Sequence, residues 1–136
     1  MNDQTFSFLV EKAIDARNAS YAPYSNFAVG AALLCADGTI FTGANIENAS
    51  FSPTVCAERV AFFSAVHNNH RDFAAIAIVG GNAGDAISEF CPPCGVCRQV
   101  MSEFCNGDFK IILSNGDIHR VMTLDEILPA RFDLLK

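Results

Sequence analysis

The chain has 136 residues, 51% of them hydrophobic and 18% charged, a balance that specifies one compact folded domain over residues 1–136 and excludes a disordered chain. Nine Lys and Arg against fifteen Asp and Glu give a net charge of −6, which repels nucleic acid and anionic membrane surfaces. The N-terminus carries no basic leader, and the longest apolar run, residues 27–36, is too short to span a membrane, so the chain reads as a cytoplasmic protein.

Residues 3–20 keep helical spacing of Phe6, Leu9, Val10, Ala13 and Ile14, and the pattern stops before Tyr21 and Pro23. Residues 27–36 read as a buried strand, Asp37-Gly38 as a two-residue turn, and residues 39–44 as the returning strand. A polar loop with Pro53 over residues 45–55 leads into a second helix over residues 56–69. Residues 73–81 form a continuous apolar strand. A loop with Gly84 and Asp85 follows, then a third helix over residues 94–105 and a strand over residues 110–114. A strand, a crossover helix and a strand imply right-handed parallel pairing. Asn115-Gly116 signals a hairpin to a last strand over residues 117–122, and Thr123-Leu124-Asp125-Glu126 is a capping box opening a short helix. The total is a three-layer α/β/α domain with a five-stranded mixed sheet.

The six cysteines are too few for a small disulfide scaffold, and four of them, Cys91, Cys94, Cys97 and Cys105, fall within fifteen residues. Cys35 and Cys105 read as small buried hydrophobes, and Cys91 as an exposed loop thiol. Cys94 and Cys97, three apart at a helix start, can hold one ion between them. Pro93 suits the helix entrance, and the helix dipole there stabilises a thiolate. The same spacing also describes a thiol redox pair. His67 and His70 fall near the C-terminus of the second helix and His119 lies in the last strand region, all away from these motifs.

What discriminates is Cys56-Ala57-Glu58, a third thiolate beside a carboxylate. Cys-x-Glu followed by Pro-Cys-x-x-Cys is the pattern of zinc nucleobase deaminases: three protein ligands, one open position for water, and a Glu that is not a ligand. On a regular helix residues two apart diverge by about 200°, so Glu58 is free to move protons while Cys56 binds metal. Zinc lowers the pKa of bound water to about 7, and a carboxylate nearby can take that proton and pass it to a ring nitrogen and then to the leaving amine. Three thiolates on one Zn²⁺ leave a negative centre that needs positive charge close by. Arg59 is placed to donate to the sulfurs, and Arg98 or Gln99 is placed similarly after Cys97.

With these residues in view the chain resembles the small homotetrameric cytidine deaminases. The resemblance runs from Tyr21-Ala22-Pro23-Tyr24-Ser25-Asn26-Phe27 through Asn45-Ile46-Glu47-Asn48-Ala49-Ser50-Phe51 and Cys56-Ala57-Glu58-Arg59 to Pro93-Cys94-Gly95-Val96-Cys97-Arg98-Gln99. It implies hydrolytic deamination of cytidine and deoxycytidine to uridine and deoxyuridine, with one zinc per chain on Cys56, Cys94 and Cys97 and with Glu58 as proton shuttle. It further implies that Asn45 and Glu47 hold the ribose hydroxyls, that Phe27 packs near the base with Ala57 lining the site, and that Phe51 and Phe132 act across a subunit interface. The implied partners are a free nucleoside and three further copies of the chain.

Overall fold

The computed structural model describes residues 1–135. Helix α1, Asp3–Ala16, starts at Asn2, whose side-chain oxygen accepts from the Thr5 amide and satisfies one of the orphan donors of the first turn. Strands β1, Phe27–Cys35, and β2, Ile40–Ala44, form a hairpin, and α2, Ala57–His67, follows. Strand β3, Phe73–Asn82, is followed by α3, Gly95–Phe104, then β4, Lys110–Ser114, β5, His119–Thr123, and α4, Leu124–Ile127.

The five strands lie in the order β2-β1-β3-β4-β5; β3 and β4 are parallel and the other neighbours antiparallel. Alternation along each strand sorts the side chains between two cores. Ala31, Leu33, Ile76, Ile78, Ile111 and Leu113 meet Ala61, Phe62 and Ala65 of α2, Met101 of α3 and Leu124 of α4 on one face. Ala32, Ala75, Ala77, Val79 and Ile112 meet Leu9, Val10 and Ala13 of α1 on the other. This is the three-layer arrangement with a mixed five-stranded sheet read from the sequence.

Strand direction places the site. Because β2 and β3 are each antiparallel to β1, they run the same way, and α2 and α3, which follow them, start at the same end of the sheet and pack on the same face. Two helix N-termini therefore meet beyond the carboxyl ends of β2 and β3, where α/β sheets place their ligands. Two glycines make the helix packing possible. A Cβ at Gly30 would lie 2.0 Å from the Ala13 carbonyl oxygen, and one at Gly43 would lie 2.3 Å from that of Ala57.

Several boundaries differ from the sequence reading. Helix α1 ends at Ala16 and tightens into a 3-10 turn at Arg17–Ala19, where the Arg17 guanidinium donates to the carbonyls of Ala28, Asn82 and Asp85. The first hairpin has three loop residues rather than two: the Cys35 amide pairs with the Thr39 carbonyl, and Gly38 takes φ +93°. Strand β5 begins at His119 because Asn115 Oδ1 takes the amides of Asp117 and Ile118 into a side-chain-closed turn. No helix among the described residues is long and apolar enough to cross a membrane.

Candidate active site

Cys56 and Cys94 are the residues immediately before α2 and α3, both extended, and neither side chain caps its own helix. Their sulfurs turn toward each other instead, at 3.7 Å, and Cys97, one turn into α3 and buried, joins them so that all three Sγ atoms lie within 4.8 Å of one another. A tetrahedral ion with bonds of about 2.3 Å to sulfur requires edges of about 3.8 Å, which the Cys56–Cys94 edge of 3.7 Å matches. The remaining three cysteines, Cys35, Cys91 and Cys105, lie outside this cluster.

The electrostatics favour an anionic sulfur at Cys56. A hydrogen bond from Cys97, with Arg59 and Cys94 assisting, pushes the Cys56 thiol below its ordinary value, and Cys97 is pushed up in return. Arg59 Nη2 donates to Cys56 Sγ at 3.4 Å. Both helix dipoles point their positive ends at the cluster. Arg98 and Gln99 face elsewhere: Arg98 donates to the carbonyls of Pro93 and Ile127, and Gln99 Nε2 donates to the Phe132 carbonyl at 3.3 Å, so both tie the C-terminal segment to α3.

Glu58, on the first turn of α2, is only 4% exposed. Burial pushes its carboxyl up to about 7; the Cys56 charge adds to this, while its own backbone amide and the Cys97 thiol act the other way. It is a carboxyl beside the sulfurs and outside their set. Ala57 before it is fully buried, with its carbonyl against Gly43.

The loop of residues 45–55 is fixed by backbone bridges from Ile46 to Tyr21 and Val55. Asn45 is buried and closes the end of β2 onto β1: Nδ2 donates to the Phe27 carbonyl at 2.8 Å, and Oδ1 accepts from the Val29 amide at 2.9 Å and the Ser20 hydroxyl at 2.6 Å. The Val29 amide fixes which amide atom is which, and one Nδ2 hydrogen remains. Glu47 accepts from the Tyr24 amide at 2.9 Å, the Ser25 amide at 3.1 Å and the Ser25 hydroxyl, which hold its carboxylate below the usual range. Tyr24, Ser25, Glu47, Asn48, Phe51 and Thr54 line a cleft of about 370 Å³.

Phe27 lies at the end of β1 opposite Asn82, with its ring edge over Gly80. Cys91 is not the exposed loop thiol that its sequence setting suggested. It is half-buried, its sulfur sits over the same glycine beside Phe27, and burial together with the charges of Glu58 and Cys56 pushes its thiol up to about 11. Phe51 and Phe132 are 83% and 68% exposed. The sequence reading did not assign roles to Ser20 and Ser25, the hydroxyls that brace Asn45 and Glu47. They lie 25 and 22 residues from their partners, and nothing in local spacing announces such pairs.

Known proteins are similar to this chain in sequence and fold. The family model described as the cytidine and deoxycytidylate deaminase zinc-binding region matches residues 3–113. A cytidine deaminase of Halalkalibacterium halodurans is 50% identical over 126 residues, which is 91% of this chain and 91% of its own. One of Sporosarcina psychrophila is 48% identical over 126 residues, 91% of this chain and 88% of its own. The crystal structure of a cytidine deaminase from Burkholderia pseudomallei superposes with a TM-score of 0.84 at 44% identity, covering 97% of this chain and all of that one.

Proposed function

The chain belongs to the cytidine and deoxycytidylate deaminase zinc-binding family, and from that premise we propose that it deaminates cytidine and deoxycytidine to uridine and deoxyuridine, releasing ammonia, in pyrimidine nucleoside salvage. The observation that carries this reading is the meeting of three converging sulfurs with a buried carboxyl that is not one of them.

Cys56, Cys94 and Cys97 would hold one zinc ion, which when bound would supply the Lewis acidity that makes water a nucleophile near neutral pH. Glu58 takes a proton from the attacking water and delivers it to the ring nitrogen, then takes the second proton from the hydroxyl newly bonded to C4 and gives it to the amine as the C4–N bond breaks. Its burial keeps bulk water from competing for that proton. Arg59 donates to Cys56 and offsets the charge of three thiolates. Gln99 acts by holding the segment that carries Phe132 against α3.

Phe27 packs on the base and Ala57 closes the pocket at the first turn of α2. Asn45 and Glu47 receive the ribose hydroxyls, Asn45 through its remaining Nδ2 hydrogen and Glu47 through a carboxylate already aimed by Ser25. The exposed aromatic rings of Phe51 and Phe132 complete the site of a neighbouring subunit in a homotetramer. Residues 1–136 act as one deaminase domain on a free nucleoside, with no nucleic-acid substrate, and the free thiols of Cys35, Cys56, Cys91, Cys94 and Cys97 suit a reducing cytoplasm.

Glu58→Gln tests the chemistry, since it keeps shape and removes the carboxyl that takes up and releases a proton. Zinc content is expected to stay at one per chain while turnover falls by about 100-fold or more, the range of general acid and base catalysis. Turnover retained in the zinc-loaded variant would overturn the assignment of Glu58.

A further inference from the structure

We infer that Cys35, Asp37 and His70 form a second site for a divalent transition-metal ion, of the class zinc represents, distinct from the three-cysteine centre. The two sites lie at opposite ends of the same elements. Cys35 ends β1 where Phe27 begins it, and His70 follows the C-terminus of α2 where Cys56 precedes its start. The eleven residues of α2 alone separate them by about 16 Å at 1.5 Å per residue.

The geometry is that of a coordination shell. The Cys35 sulfur, an Asp37 carboxylate oxygen and a His70 ring nitrogen lie within 4.8 Å of one another. Asp37 Oδ2 and His70 Nε2 are 3.3 Å apart, the edge of a tetrahedron with bonds of about 2.0 Å.

Hydrogen bonding around the ring fixes its tautomer. His70 Nδ1 lies 3.0 Å from the Asn68 carbonyl oxygen. A carbonyl only accepts, so Nδ1 carries the hydrogen, and Nε2 of the neutral ring presents a lone pair to the Asp37 carboxylate. Two lone pairs at that distance require a cation between them. A proton would satisfy two of the groups, whereas a metal ion satisfies all three. A backbone carbonyl on the far nitrogen is also how metal-bound histidines are oriented. A thiolate, an imidazole and a carboxylate together are a donor set for zinc or cobalt rather than for calcium or magnesium.

Each donor is held by contacts that do not involve the other two. Asp37 Oδ1 accepts from the Thr39 amide at 2.9 Å, which leaves Oδ2 for the site. Cys35 is fixed by the hairpin bond to Thr39 and is 2% exposed. The His70 amide donates to the Ala65 carbonyl at 2.9 Å after Asn69 reverses the chain at φ +67°, and the ring meets the Phe41 ring edge-on. Burial and the charges of Asp37 and Asp72 push the Cys35 thiol up to about 11, which marks a negative pocket that a dication relieves. A metal here would clip the first hairpin to the end of α2.

The test starts from protein holding one zinc per chain, dialysed against micromolar Co²⁺, with zinc and cobalt both counted. The expected result is two metal ions in total per chain and a thiolate-to-cobalt charge-transfer band. That band should disappear in Cys35→Ala. His70→Gln and Asp37→Asn, which leave the buried thiol in place, should weaken uptake of the second ion tenfold or more. The second ion should also raise the unfolding temperature of the unaltered protein and not that of His70→Gln. A total of one metal per chain, or a second ion bound equally well by His70→Gln and Asp37→Asn, would overturn the proposal and leave a protonated His70–Asp37 pair.

Discussion

Removing the Arg59 side chain isolates what positive charge does for the sulfurs. Its Nη2 is the donor to Cys56, and its buried Nε has no partner among the described residues, so the guanidinium is spent on the cysteine cluster. Arg59→Ala should lower zinc affinity or turnover by about 10- to 100-fold, the usual cost of losing a group that orients a metal ligand. Unchanged zinc content, turnover and pH profile would contradict that role. Asn45→Ala should act through stability as well as binding, since it strips the Val29 amide and the Phe27 carbonyl of their partner; the cost is on the order of 1–3 kcal/mol for each buried group left unsatisfied, read by denaturant unfolding. At this scale the legible residues were those whose chemistry is local. Cys56 with Glu58, and Cys94 with Cys97, declare themselves by spacing along one helix start. What was not legible depends on pairs brought together by the sheet, such as Ser20 with Asn45, or Cys91 with Gly80 and Phe27.

Among the elements, α2 matters most, because Cys56 immediately precedes it, its first turn carries Glu58, and its packing distance from β2 is set by a glycine. A Cβ at position 43 would meet the backbone of Ala57 and Ala61, which cannot move aside as a flexible side chain would. Gly43→Ala should therefore push the start of α2 outward, with about 1–3 kcal/mol of overpacking and a loss of bound zinc. Full zinc content with unchanged stability would show that α2 is not held by that contact. A smaller effect is expected at the far end of the chain, where Thr123 and Glu126 complete the capping box read from the sequence. Thr123→Ala should cost about 1 kcal/mol with no effect on zinc. Type and order of elements followed from hydrophobic period and turn residues; the ends did not. The end of α1 is decided by three carbonyls that meet Arg17 from β1, from the last residue of β3 and from the loop after it, and the start of β5 by the Asn115 side chain, neither of which leaves a periodic signature.

For the molecule as a whole, exposed aromatic surface is the feature that a single chain does not explain. Phe51 lines the cleft beside Glu47, and Phe132 is carried on a segment tied to α3 by Gln99 and Arg98, yet both rings face outward. The proposed homotetramer would cover them, and light scattering should then give four times the chain mass of 14.6 kDa. Phe51→Arg should dissociate the assembly and depress turnover together; an active monomer would contradict shared sites. The measurement that bears most directly on the account is the ultraviolet absorbance of cytidine after addition of protein carrying one zinc per chain in the three-cysteine centre. A decrease matched by one uridine and one ammonia for each cytidine lost is the expected result, abolished when a chelator strips the zinc. No change with folded protein of verified zinc content would contradict it.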